Sequence, residues 1–267
     1  MVQKRKRQLV TLSFGAEPGM PDVPALADWV AKRRDGGVES DLITYLLEAA
    51  LAPQLEAAIT IPCSGGRFYA SRLLSSFTGI KDGVIRGETV ISDRMIVADS
   101  AELVLQKKGV WCAVPAPHIL SIRDEYYYDE DEAFGAVADL YRGAMRAMRD
   151  AGIYGHVLIC DRADNTELAA LSRQKVFFFL PQPGREDLEV LLEHQRRIAV
   201  DKGHLEDVFD LSDEYELRQL VIIDADHESI ASALSHFDPE QVVIGGYCTT
   251  SCESYWKDLI KGAYYTA

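Results

Sequence analysis

The second half of the chain alternates short apolar runs with amphipathic stretches, and this alternation constrains the fold more than any other feature. Four runs read as strands: His156 to Cys160, Val176 to Leu180, Leu220 to Ile223 and Val242 to Ile244. Each is apolar throughout rather than at every second position, as in strands buried on both faces. Helical stretches separate them, at about Asn165 to Ser172, Glu186 to Val200 and His227 to His236. Strand-helix-strand units with short loops make right-handed parallel crossovers. A longer helix, Asp131 to Ala151, precedes the first of these strands. In it Phe134, Val137, Tyr141, Met145 and Met148 recur at helical spacing, acidic residues crowd the start, arginines mark the end and Gly152 stops it. That order of charge complements the helix dipole.

The first half is less regular. A strand, Leu9 to Phe14, leads into a Gly/Pro-rich loop, Gly15 to Pro24. Helices follow at Ala25 to Arg34 and at Ser40 to Glu56, the latter bent near Pro53. A short strand, Ala58 to Pro62, enters Cys63-Ser64-Gly65-Gly66, and Phe68 to Phe77 reads as a helix. From Val84 to Val114, β-branched runs (Val84 to Ile91, Arg94 to Ala98, Glu102 to Gln106, Val110 to Val114) are divided by turn-compatible pairs. Strands so closely spaced predict antiparallel hairpins. The expectation is therefore an α/β fold: one domain over residues 1–267, its mostly parallel sheet flanked by helices. An antiparallel β-rich insertion or sheet extension occupies 84–114. Eight clean βα units cannot be counted, so an open three-layer sandwich is favoured over a closed barrel.

Charge limits the partners. The net charge is -14 and the pI about 4.9. Phosphate neutralisation needs surplus Lys and Arg, so neither nucleic acid nor an anionic membrane is an expected partner. The basic run Lys4 to Arg7 reads as a solvated arm. The apolar run after it is short, interrupted by Thr11 and Ser13, and lacks a cleavage site, so it does not read as an export signal. No apolar run is long enough to span a bilayer. Five scattered cysteines (Cys63, Cys112, Cys160, Cys248, Cys252) fit a reducing, cytoplasmic setting.

In parallel sheets and barrels alike, ligands bind beyond the carboxyl ends of the strands. Those ends here are Cys160-Asp161-Arg162, Pro181 to Gly184, Asp224-Ala225-Asp226-His227, and Gly245 to Cys252. Thr250 and Glu253 have capping-box spacing, which puts Cys252 in the first turn of a helix, where backbone N–H groups lower a thiol pKa. Asp224, Asp226 and His227 form a cluster of oxygen and nitrogen donors able to contribute to a divalent metal site with Asp161 or His118. Asp226 reads equally well as a helix N-cap, with Ser229 three residues on. The turn Ser64-Gly65-Gly66-Arg67 is a possible anion cradle with Arg67 assisting, and Gly245-Gly246 is a second such turn. His118 and His156 stand alone in sequence, which is the usual pattern of a structural histidine. No nucleotide-binding motif is present, and the sequence leaves the cofactor unknown.

The segment Val242 to Tyr265 resembles the cysteine-bearing segment of isochorismatase-like hydrolases. Gly246, Thr249, Cys252 and the later Gly262 match its apolar strand, Gly-x-x-Thr-x-x-Cys and amphipathic helix. The resemblance implies a cysteine nucleophile at Cys252 and an aspartate acting on its proton, for which Asp161 and Asp224 are the candidates; no lysine stands at the family's place before the segment. Three functions follow. The first is a small-molecule hydrolase using Cys252 with Asp161 or Asp224. The second is a non-catalytic or regulatory protein holding a small ligand at Gly245, Gly246, Thr249, Thr250, Ser64, Gly65 and Arg67. The third is a divalent-metal enzyme using Asp224, Asp226 and His227. A homo-oligomer is compatible with each, with the β-rich insertion and Tyr126 to Tyr128 as candidate contact surfaces.

Overall fold

The computed structural model describes residues 6–35, 40–250 and 252–266. Eight parallel strands run through it in chain order: β1 (Val10–Ala16), β2 (Cys63–Gly65), β3 (Trp111–Pro115), β4 (Gly155–Ile159), β5 (Val176–Phe179), β6 (Arg197–Val200), β7 (Gln219–Ile223) and β8 (Val242–Cys248). Ladders join β2 to β3, β3 to β4 and β4 to β5, and separately β6 to β7, β7 to β8 and β8 back to β1. Two joints connect these sets. At the first, Ser13 N–H donates to the Ile61 carbonyl at 3.0 Å and Ile61 N–H to the Thr11 carbonyl at 2.9 Å.

The second joint, between β5 and β6, has no backbone ladder among the described residues. The Gln195 side chain takes the place of a strand there: its Oε1 accepts from Phe178 N–H at 2.9 Å and its Nε2 donates to the Phe178 carbonyl at 3.0 Å. The sheet thereby closes on itself as an α/β barrel.

Closure explains the continuous apolar runs. Along each strand one set of residues faces the barrel interior: Leu12, Phe14, Cys63, Trp111, Ala113, Val157, Ile159, Phe177, Phe179, Ala199, Val221 and Val243 form one buried cluster. The alternate set, including Leu158, Phe178, Ile198, Ile222 and Ile244, packs outward against the helices. The interior is filled rather than hollow. The Phe14 ring stacks on Phe179 at 4.2 Å and meets Phe177 edge-on at 5.0 Å. Gly245 makes room for this, since a Cβ there would lie 2.5 Å from Val221 Cγ1 and 3.1 Å from Phe14.

The helices are α1 (Val23–Asp35), α2 (Leu42–Glu56), α3 (Ala70–Ser76), α4 (Arg94–Gln106), α5 (Glu130–Asp150), α6 (Asn165–Leu171), α7 (Arg185–His194), α8 (Leu205–Leu211), α9 (His227–Ala233) and α10 (Cys252–Gly262). The α/β class and the parallel strands flanked by helices are as the sequence predicts. The curl of the sheet differs from the open sandwich favoured there. Two strands were hidden: β2 has only three residues, and β6 continues the apolar pattern of α7, so 186–200 reads as one helix. Within 84–114, Val84–Ile91 does pair antiparallel with Phe77–Lys81. However, Arg94–Gln106 is one helix, with Ile96, Asp99, Ser100 and Leu103 buried at helical spacing, and Trp111–Pro115 is a barrel strand. Lys6 and Arg7 lie in a short strand, Lys6–Gln8, paired antiparallel with Tyr264–Thr266; Lys4 and Arg5 lie outside the described residues. No helix among the described residues is long and apolar enough to cross a membrane.

Candidate active site

The carboxyl ends of the strands carry two connected polar groups. The first caps the barrel core. Tyr247 faces inward from β8, its ring edge-on to Phe179 at 5.5 Å, and its hydroxyl donates to Glu17 Oε1. The same oxygen accepts from Arg67 N–H. Arg67 Nη2 reaches the Cys160 carbonyl at the end of β4, at 3.4 Å. Burial pushes the Tyr247 hydroxyl well above its ordinary pKa, and the Glu17 carboxylate adds to the rise, so Tyr247 is a donor and not a phenolate. The approach of β2 to its neighbours depends on glycine. Gly65 has φ +91° and a Cβ there would lie 2.2 Å from the Ala113 carbonyl oxygen; at Gly66 a Cβ would meet the Ala16 oxygen at 2.4 Å and Glu17 Oε1 at 2.7 Å.

The second group is built on His118, in the turn that follows β3. Its backbone N–H donates to Glu167 Oε1 at 2.6 Å and its Nδ1 lies 2.8 Å from Glu167 Oε2. Its Nε2 lies 2.7 Å from Asp161 Oδ1 and 3.4 Å from Asp161 N. The His118 and Glu167 side chains are about equally buried, at 4% and 5% exposure, whereas Asp161 is 57% exposed. Glu167 sits in the first turn of α6, whose N-cap Asp164 accepts from the Thr166 and Glu167 N–H groups. With Glu167 on Nδ1, that nitrogen carries a proton and Nε2 is left for exchange on the open side. Burial alone would lower the imidazole pKa; Glu167 more than offsets it, and the result is a raised value. A cavity of about 380 Å3 adjoins the pair, lined by Pro117, His118, Arg162 and Glu167 together with Ile85 and Phe134.

The residues singled out from the sequence disperse. Asp161 and Arg67 belong to these groups. Ser64 is buried, its hydroxyl donating to the Leu47 carbonyl at 2.8 Å, and Gly246 lets α10 lie close, since a Cβ there would meet Leu259 at 2.5 Å. Asp224 has φ +50° and accepts from the Tyr255 hydroxyl, which itself accepts from Tyr247 N–H at 2.9 Å. Asp226 is the N-cap of α9, accepting from Ser229 N–H at 2.8 Å, and Lys202 Nζ lies 2.9 Å from its other oxygen. His227 lines a separate cavity with Ile230 and Tyr264. The proposed metal ligands thus point three ways. Among the described residues no group of three His, Cys, Asp or Glu side chains is placed to hold a metal ion.

Cys252 does open α10, but its sulfur is bonded to that of Cys248, whereas the sequence reading treats every cysteine as a free thiol. A sulfur in that bond is no nucleophile. Thr249 and Thr250 are exposed on the intervening loop; Ser251, the residue just before the helix, lies outside the described residues. Cys63, Cys112 and Cys160 are free and buried, and burial raises all three pKa values.

Sequence reasoning missed Glu17, Glu167 and Tyr247. Glu17 was findable as the first charged residue after a strand. Glu167 was not, because it lies 49 residues from the histidine it holds.

No protein-family model matches the chain, and no curated protein matches it. Solved structures do. A putative vitamin-B12-independent methionine synthase from Listeria monocytogenes is similar over 96% of this chain and 96% of that one, with 16% identity and a TM-score of 0.62. The metallated form of the homocysteine methyltransferase MmuM from Escherichia coli is similar over the same shares, with 13% identity and a TM-score of 0.51. At these identities the likeness is one of fold.

Proposed function

We propose that the chain is a small-molecule enzyme performing acid–base chemistry at the carboxyl end of the barrel, with His118 as the proton carrier. One observation carries this reading: a buried imidazole fixed by Glu167 on one nitrogen and facing Asp161 with the other, beside a cavity. Glu167 is a positioning residue that sets the tautomer and stabilises the imidazolium. Asp161, exposed and 2.7 Å from Nε2, relays the proton or is displaced by substrate. Arg162 lines the same cavity beside Asp124 and Glu130, a mixed lining that suits a substrate carrying a carboxylate together with a positive group.

The activities named for the two similar structures, methionine synthesis and homocysteine methylation, make amino-acid substrates the first class to screen. A cysteine hydrolase at Cys252 would need the Cys248–Cys252 bond reduced first. We place the activity in the cytoplasm on the odd, scattered cysteine set, with the Cys248–Cys252 bond as the one feature that runs against a reducing setting.

The test is ligand-observed NMR with a panel of amino and carboxylic acids, run on the wild type and on His118→Gln and Arg162→Gln, followed by turnover assays on the binders. The reading expects a binder lost in Arg162→Gln, and turnover lost in His118→Gln while binding persists. Turnover that survives His118→Gln would remove the proposal.

A further inference from the structure

The opposite face of the barrel carries a second cavity, of about 570 Å3, at the amino ends of β5, β6 and β7. Its lining includes Arg173, Arg196, Arg197, Arg218 and His194, and no Asp or Glu lines it. This is an anomaly in a chain of net charge -14. Like charges lining one space repel one another, and the most enclosed of them is the least screened by solvent and salt. An anion in the space would relieve that repulsion.

The carboxylates nearby do not neutralise the group. Glu216 is shared between two members, Arg196 at 2.7 Å and Arg218 at 3.1 Å. Arg173 has a backbone partner, the Ser172 carbonyl at 2.6 Å, and no carboxylate among the described residues. Arg197 is the most enclosed. Its guanidinium lies 5.0 Å from the Phe177 ring and 5.5 Å from the Trp111 ring, and it donates to the Val176 and Gln174 carbonyls at 3.3 and 3.5 Å. It too has no carboxylate partner among the described residues. Burying a charge without a counter-charge is costly, and two rings and two long hydrogen bonds offset that cost only partly.

We propose that this cavity binds a small polyanion of the phosphate class, with a diphosphate or triphosphate group as the recognised element. Its volume is that of a small-ligand site. Guanidinium forks match phosphate oxygens in pairs, and arginines at the amino ends of three strands suit several oxygens facing several ways. A single carboxylate could engage one fork only. His194, whose Nε2 lies 2.6 Å from Asn165 Oδ1, and the amides of Gln174 and Gln219 complete a polar wall without adding negative charge. The site lies at the end of the barrel away from His118, and it stands or falls independently of the proposed function.

The experiment is isothermal titration calorimetry of the full chain with inorganic pyrophosphate, and with inorganic phosphate for comparison, at 50 and 200 mM salt. The variants are Arg173→Gln and Arg218→Gln, both exposed and outside the barrel core, with Arg142→Gln on α5 as the control. One pyrophosphate should bind per chain, tighter than phosphate and weaker at high salt. Each cavity variant should weaken it by about tenfold, the loss of one charge-assisted pair, and the control should not. Melting temperatures of the free variants near that of the wild type establish that they are folded. No binding at millimolar pyrophosphate would overturn the proposal. So would binding that survives both cavity variants, since the anion would then sit elsewhere, as at Arg67 or Arg162.

Discussion

Arg72 Nε lies 2.7 Å from Asp99 Oδ2, and both side chains are buried, at 6% and 4% exposure. The pair ties α3 to α4, and its spare oxygens and nitrogens are taken up: Tyr69 donates to Asp99 Oδ2 at 3.1 Å, Thr44 to Oδ1 at 3.3 Å, and Arg72 Nη2 lies 2.8 Å from Asp41 on the other side. Removing Arg72 leaves Asp99 as a buried charge with no cation beside it, whereas without Asp99 the arginine keeps Asp41. Arg72→Met should cost about 3–5 kcal/mol, whereas replacing Arg72 and Asp99 together with Met and Leu should cost far less. Urea midpoints of the two variants against wild type check this; equal losses in the single and double variants would contradict it.

The seam between β5 and β6 gives a second expectation. In Gln195→Leu both backbone groups of Phe178 lose their partners in a dry setting, at about 1–3 kcal/mol for each group. The local signature is sharper than the global one. Hydrogen exchange at Phe178 N–H should accelerate more than at Phe177 or Phe179, which face the other way in the ladder. Uniform acceleration along β5 would mean that Gln195 is not the clasp.

Two buried histidines make opposite pH predictions. His118 has a raised pKa, because Glu167 outweighs burial. Its stabilising contribution is therefore complete below the unfolded histidine value near 6.5 and is lost as pH rises through the folded value. The stability gap between wild type and His118→Gln should shrink from pH 6 to pH 9. A gap that widens over that range would refute the assignment.

His156 is depressed to about 3, by burial first and then by Arg149. Its Nε2 lies 3.0 Å from the Met145 carbonyl, and its Nδ1 is buried without a partner among the described residues. The unfolded chain takes up this proton below about pH 6.5 and the folded chain does not, so stability falls with pH from there towards 3. In His156→Gln the decline between pH 6.5 and 5 should flatten by up to about 1.4 kcal/mol per pH unit. Thermal melts at three pH values suffice to see it.

The disulfide makes a chemical prediction. Peptide mapping without reductant should recover Cys248 linked to Cys252, with Cys63, Cys112 and Cys160 unlabelled by alkylating agents in the folded protein. The loop it closes is short, so Cys248→Ser should cost no more than about 2 kcal/mol by loop entropy. Fast labelling of Cys252 in the untreated protein would instead revive the thiol nucleophile.

Much of the barrel could be read from periodicity. The helix α5 and strands β4, β5, β7 and β8 were legible because their apolar patterns are long or uninterrupted. Asp161 was legible as a strand-end residue, and Asp226 as an N-cap. The closure was not legible, because it depends on a three-residue strand, a single bridge at Ile61 and a side chain standing in for a backbone. Arg94–Gln106 was misread because β-branched residues suit strands, yet Asp99 there is held by a residue of another helix. His118 seemed isolated for a similar reason: its partners Asp161 and Glu167 come from the next βα unit, and only the fold brings them together.

The seam at Gln195 also marks where the chain can be reconnected. The short strands Lys6–Gln8 and Tyr264–Thr266 lie side by side, and β8 pairs directly with β1. A circular permutant with those two segments linked, beginning at β6 and finishing after β5, would break no backbone ladder of the barrel. Its new ends would meet at the one joint where neighbouring strands are not laced through their main chains. By this logic the barrel is a strip with two free edges, held shut at their meeting by side chains, Gln195 on Phe178 and Arg197 on Val176.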